Sequence, residues 1–173
     1  MPDKILGFFN EHRYLSNFHI TDVMFEGVLY PSSECAYQAA KTLDLAAREK
    51  FVGLSPKGSK KAGRDLTLRS DWETVKYEIM YQIVKDKFTR NEDLNKLLLG
   101  TGNAYLEETN TWGDKCWGVC RGVGSNNLGR ILMRVRAEAR GIKFVRCQGF
   151  GSCNQMVPET LPFCKECVDD DTN

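Results

Sequence analysis

The stretch Tyr30-Pro31-Ser32-Ser33-Glu34-Cys35-Ala36-Tyr37-Gln38-Ala39-Ala40-Lys41 constrains this chain more than any other. Two serines after a proline are N-cap candidates, and the alanine-rich run that follows contains no helix breaker, so a helix is predicted to start here. At helical spacing Glu34, Tyr37, Gln38 and Lys41 share one face, while Ala36, Ala39, Ala40 and Leu43 share the opposite one. The alanine face permits close packing of another element. The other face aligns a carboxylate, a phenol, an amide and an ammonium, a set that suits a ligand. A glutamate in a first helical turn also simply complements the helix dipole, and on that ground Glu34 is expected to stay ionised.

Composition sets the frame for that helix. With 173 residues, 42% hydrophobic and 27% charged, the chain can build one globular domain with a core plus a small appendage. It shows no apolar run of about 18 residues and no amino-terminal basic-then-apolar segment, so no membrane span or secretory signal is expected. A cytoplasmic protein, or a nuclear one in a eukaryote, is the expectation. The net charge of +1 excludes a generally polycationic nucleic-acid binder and leaves polyanion contacts to local clusters.

Lys4 to Phe9 reads as a strand, and Val23-Met24-Phe25 with Val28-Leu29-Tyr30 reads as a hairpin turning at Glu26-Gly27. Asn17, set among apolar neighbours, is placed to aim its amide inward. A helix is expected after Ser55-Pro56, carrying Lys57, Lys60, Lys61 and Arg64; the cluster suits either phosphate contact or a solvated basic face. Ser70-Asp71-Trp72-Glu73 has the form of a capping box opening the longest helical pattern, through Phe88. Trp72 is open to two roles, closing the core or stacking on a ligand. Leu94 to Leu99 reads as a short helix, and Ala104 to Glu108 as a strand. The glycine-rich run Asp114 to Gly129 precedes a last helix over Leu128 to Arg140, and its glycine spacing does not match the dinucleotide fingerprint.

Six blocks recur together in a known family: Tyr14-Leu15-Ser16-Asn17-Phe18, the Tyr30–Lys41 stretch, Asp71-Trp72 with Lys76, Lys87-Phe88, Asp114-x-x-Trp117-Gly118, and Gly124-x-Asn126-x-Leu128-Gly129-x-x-Leu132-Met133. Over about Phe8 to Arg140 the chain resembles the NADAR (NAD and ADP-ribose) superfamily, the YbiA-like N-glycosidases. The resemblance implies a compact, helix-rich α+β domain with a small β-hairpin or sheet that hydrolyses the C1′ N-glycosidic bond of a phosphorylated ribose. It implies Glu34 as the catalytic carboxylate, with Asp114 as the second and with Trp72 and Trp117 around sugar and base. Asn17, Tyr37, Gln38, Lys41, Gly118 and Asn126 complete the implied substrate site, which needs no catalytic cofactor. The loop through Cys116 and Val119-Cys120-Arg121 is bulkier than a glycine-rich version would be. An ionised carboxylate beside the anomeric carbon lowers the barrier to an oxocarbenium-like state and can accept a proton from water, and the indoles offer a stacking surface for a base.

Of seven cysteines, Cys147, Cys153, Cys164 and Cys167 crowd the last stretch, the final pair as C-x-x-C. Four thiolates so placed suit a structural zinc (Zn2+), a C-terminal zinc knuckle whose folding energy comes from the metal. The expected organisation is thus a catalytic domain over 1–142 and a zinc-binding tail over 143–173 with a disordered acidic end. The expected substrate carries ADP-ribose or a ribosyl phosphate: foremost ADP-ribosylated guanine in DNA, alternatively a ribosylaminopyrimidine of riboflavin biosynthesis. A non-catalytic ADP-ribose reader is a further alternative, and a zinc-dependent nucleic-acid module another.

Overall fold

A computed structural model of the chain describes residues 3–146 and 155–160. It divides into two compact units, 1–135 and 136–173. The class is α+β and helix-rich, with six α-helices and four two-stranded sheets among the described residues.

In the first unit, β1 (Lys4–Leu6) pairs in parallel with β4 (Tyr105–Glu107). A 3-10 turn over Asn10–Leu15 leads to the hairpin of β2 (Val23–Phe25) and β3 (Val28–Tyr30), paired antiparallel. Glu26 and Gly27 have φ of 46° and 81°, the left-handed pair that a two-residue turn needs to match the strand twist. The hairpin delivers the chain to α1 (Ser33–Ala39), capped by Ser32, whose Oγ accepts the Cys35 N–H at 3.1 Å. Every residue of α1 is buried. Helices α2 (Leu45–Glu49) and α3 (Pro56–Ala62) follow with side-chain caps from Asp44 and Ser55.

The spine is α4 (Trp72–Arg90). Trp72, Ile79, Met80, Ile83, Val84 and Phe88 form its buried stripe, and β2 docks on it, with the Met24 N–H donating to Asp86 Oδ2 at 2.7 Å. The capping box expected at Ser70 does not form. The helix starts one residue late for it, Asp71 at the N-cap gives its carboxylate to Arg69, and Glu73 pairs with Lys76. Helix α5 (Glu92–Gly100) leads back to β4; β5 (Thr109–Asn110) pairs in parallel with β6 (Val119–Cys120). Helix α6 (Asn127–Ala139) adds Leu128, Leu132 and Val135 to the core.

The second unit, as far as it is described, holds the end of α6, a turn at Gly141 with φ of 85°, and an antiparallel pair of β7 (Phe144–Arg146) and β8 (Met156–Pro158). The expected zinc ligands Cys147, Cys153, Cys164 and Cys167 lie outside the described residues. Among the described residues no group of three or more His, Cys, Asp or Glu could hold a metal, and no helix is long and apolar enough to cross a membrane.

Candidate active site

One face of α1 borders a cavity of about 620 Å³ within the first unit. Glu34, Tyr37 and Gln38 line it from one face of α1 and Lys41 joins them from just past the helix end, while Ala36, Ala39 and Ala40 on the other face are fully buried; Leu43, expected with the alanines, lies beyond the helix and is exposed. The N-terminus of α1 is tied to the Ser16–Asn17 segment, which Lys87 holds in turn. The Glu34 N–H donates to the Asn17 carbonyl at 3.0 Å, and the neighbouring Ser16 carbonyl accepts from Lys87 Nζ at 2.9 Å. Lys87 is fully buried on the apolar stripe of α4, and that burial drops its ammonium to a pKa of about 7.

Three carboxylates meet this cavity: Glu34, Glu108 and Asp114. Glu34 is 6% exposed and its Oε1 accepts from Gln38 Nε2 at 2.8 Å. Burial raises its pKa against the pull of that hydrogen bond and of Lys60 and Lys41, with Asp114 adding to the rise. The sequence expectation rested on the helix terminus alone; in the fold, burial pushes this carboxyl up while Gln38, Lys60 and Lys41 hold toward the anion. Glu108, between β4 and β5, is raised to about 7, first by burial and then by Asp114, against Arg13 and Lys60. Asp114 Oδ1 accepts the backbone N–H groups of Cys116 and Trp117 at 3.0 and 2.8 Å. That pair of bonds folds the loop so that Trp117 lines the cavity beside it.

Arg13, Lys41, Lys60 and Lys76 bring positive charge to the same walls. Burial lowers the Lys41 pKa and Glu34 partly restores it. Of the basic cluster 57–64, Lys60 reaches the cavity, held 5.6 Å over the Phe18 ring. The aromatic wall is a continuous series: Trp72 to Tyr37 at 5.1 Å, Tyr37 to Trp117 at 5.4 Å and edge-on, Trp117 to Tyr77 at 5.4 Å. Trp72 does both things open to it, packing in the core and lining the cavity.

Six buried side-chain polar atoms lack a hydrogen-bond partner among the described residues, and three are on residues that line this cavity: Asn17 Oδ1, Gln38 Oε1, which lies against Gly63, and Glu108 Oε2. Buried acceptors are rarely left unpaired, so half of the orphan atoms falling on lining residues marks this wall as the place where polar satisfaction is least complete.

Two residues expected to bind substrate do not line the cavity. Asn126 is 2% exposed, and its side chain is consumed inside the fold: Nδ2 donates to the Leu106 carbonyl and Tyr105 Oη, and Oδ1 accepts the Glu108 N–H. Gly118 is a packing glycine, because a Cβ there would lie 2.2 Å from the Glu108 carbonyl oxygen. Conversely, sequence reasoning passed over Arg13, Glu108 and the exposed rim aromatics Phe9 and Trp112. A signal for Glu108 exists: strand alternation from the fully buried Leu106 points residue 108 to the same side.

Residues 7–140 match the NADAR domain family model. The N-glycosidase YbiA of Escherichia coli (strain K12) is 36% identical over 145 residues, covering 80% of this chain and 90% of that protein. A riboflavin biosynthesis protein of Vibrio vulnificus (strain YJ016) is 37% identical over 131 residues, covering 73% of this chain and 35% of that longer protein. The NMR structure of E. coli YbiA superposes with a TM-score of 0.73 at 35% identity, over 81% of this chain and 87% of that one. By the extent of that family match and the likeness of both sequence and fold to YbiA, the chain belongs to the NADAR domain family.

Proposed function

We propose that this protein is a hydrolase that cleaves the N-glycosidic bond at C1′ of a phosphorylated ribose, with Glu34 as the carboxylate that serves the reacting carbon. The observation that carries this is the composition of one cavity: carboxylates on its wall, unpaired acceptors for sugar hydroxyls, an aromatic face for a base and four cations for phosphate. Breaking a ribosyl C–N bond develops positive charge at C1′, which a carboxylate stabilises, and the attacking water must lose a proton. A carboxylate whose pKa is raised by burial is a stronger proton acceptor once ionised, and Lys41 and Lys60 favour that ionised form in Glu34. Asp114, anchored through Oδ1, contributes the second negative charge. A reader of ADP-ribose would gain nothing from a buried carboxylate against an anionic ligand.

For the substrate we favour ADP-ribose attached to guanine in DNA. The aromatic rim, with Trp112 56% and Phe9 47% exposed, extends the cavity outward where a base held in a strand would need contact. The name of the V. vulnificus relative favours a second reading, a ribosylaminopyrimidine phosphate. The two separate in a direct comparison of base release from an ADP-ribosylated guanine oligonucleotide and from the pyrimidine nucleotide. Turnover of the oligonucleotide supports the first reading, and cleavage of the pyrimidine alone replaces it with the second. Neither reading needs a cofactor for the chemistry. We assign structural Zn2+ to the four C-terminal cysteines on their spacing, and elemental analysis of the purified chain against its Cys164→Ser, Cys167→Ser variant tests that assignment.

A further inference from the structure

Hydrolysis at C1′ leaves one task that Glu34 and Asp114 do not cover, the protonation of the departing nitrogen. We propose that Glu108 is the proton donor to the leaving base, and that Gly118 and Asn126, which do not reach the cavity, are positioning residues for it. The proposal rests on the N-glycosidase reading above and adds a role to the same site.

Three observations carry it. Glu108 lines the cavity, and its Oε2 is buried with no hydrogen-bond partner among the described residues, which leaves a carboxyl proton there uncommitted. The backbone of Glu108 is pinned from both sides: its N–H donates to Asn126 Oδ1 at 3.0 Å, and its carbonyl accepts from Val119 N–H at 2.9 Å. Gly118 makes that grip possible, since a Cβ on it would lie 2.2 Å from the Glu108 carbonyl oxygen and 3.1 Å from Glu108 Cγ. Gly129 does the same for Asn126, its would-be Cβ falling 2.5 Å from Asn126 Oδ1. Gly118, Val119 and Asn126 thus hold the Glu108 backbone in place from behind the cavity wall.

The electrostatics divide the two glutamates in the required sense. Around Glu34, after burial, the hydrogen bond from Gln38 and two lysines favour the anion. Around Glu108 the next influence after burial is the Asp114 charge, which favours the protonated acid. Both carboxyls are raised by burial and by Asp114, and Lys60 opposes the rise in each; they differ in that Gln38 hydrogen-bonds the Glu34 anion, while Asp114 is the first influence on Glu108 after burial, ahead of Arg13 and Lys60.

The step balances. The C1′–N bond breaks with its electron pair going to nitrogen, and the Glu108 O–H proton moves to that nitrogen, leaving a Glu108 carboxylate. The water oxygen bonds to C1′ and its proton passes to Glu34. Proton exchange with solvent restores both groups, and one water is consumed.

The test compares two leaving groups. Glu108→Gln is isosteric and removes only the proton, and its melting temperature should match the wild type. On whichever base-bearing substrate the wild type cleaves, its turnover is expected to fall about 10²-fold or more. On the 5-phosphate of 4-nitrophenyl riboside, whose leaving group departs as a stabilised phenolate and needs no proton, its rate should stay within about threefold of wild type, whereas Glu34→Gln should be inactive on both. The alkaline limb of the wild-type pH profile should disappear in Glu108→Gln. Equal loss on both substrates, or no loss on the base-bearing one, overturns the assignment of Glu108 while leaving the N-glycosidase reading intact. A wild type that cleaves no base-bearing substrate removes that reading, and the proposal with it.

Discussion

Gly118 has no room for a methyl group: besides the Glu108 carbonyl, a Cβ would meet Asn110 Nδ2 at 2.7 Å, and both neighbours are held in hydrogen bonds. Gly118→Ala should therefore cost about 1–3 kcal/mol, lowering the melting temperature by on the order of 5 °C, and should reduce turnover by displacing Glu108. An alanine variant as stable and active as wild type would contradict this packing. Lys87 is a second residue whose effect has a definite sign. Its pKa falls from 10.5 to about 7 on folding, so between those values the unfolded chain binds more protons and stability rises with pH. Denaturant midpoints should increase from pH 7 to pH 9 in the wild type, and that rise should flatten in Lys87→Met. The Glu34, Tyr37 and Gln38 face of α1 could be read from spacing alone, because a helix fixes which side chains travel together, whereas Lys41 and Leu43 fall past its end. The state of Glu34 could not: whether a helix terminus or burial governs a carboxyl depends on what covers it, and Asn17, Lys60 and Asp114 come from distant parts of the chain.

At the scale of elements, local chemistry is strongest where caps and turns act alone. The Glu26-Gly27 turn and the Ser32, Asp44 and Ser55 caps form, each needing only neighbours within a few residues. Ser32→Ala should cost about 1 kcal/mol, or more because Ser32 Oγ also donates to the buried Cys35 Sγ at 3.0 Å, and thermal unfolding would show it. Ser70-Asp71-Trp72-Glu73 satisfies the same kind of local rule and fails it in the fold. The Arg69 guanidinium takes the Asp71 carboxylate, and burial of Trp72 at the first helical position sets the register. The loop 114–126 was legible as glycine-rich and site-forming, but not which of its residues face inward. Asp114 and Trp117 reach the cavity, whereas Gly118 and Asn126 build the wall behind Glu108.

For the whole molecule, one cavity gathers α1, the start of α4, the 16–18 loop, the end of β4 and the 112–117 loop. Its chemistry should impose a bell-shaped dependence of kcat/KM on pH. The alkaline limb should fall through about pH 7 as Glu108 loses its proton, and the acid limb should lie above the usual carboxylate range because burial raises Glu34. A rate that keeps climbing above pH 8 would be incompatible with a protonated Glu108. The central claim is that the α1 carboxylate drives C–N hydrolysis in a pocket that also binds the ribosyl phosphate. It is tested most directly by measuring, for Glu34→Gln against wild type, both the rate of base release and the dissociation constant for ADP-ribose. The expected result is turnover reduced about 10²-fold or more with ADP-ribose affinity changed by no more than a few fold. Wild-type turnover in Glu34→Gln would contradict the account.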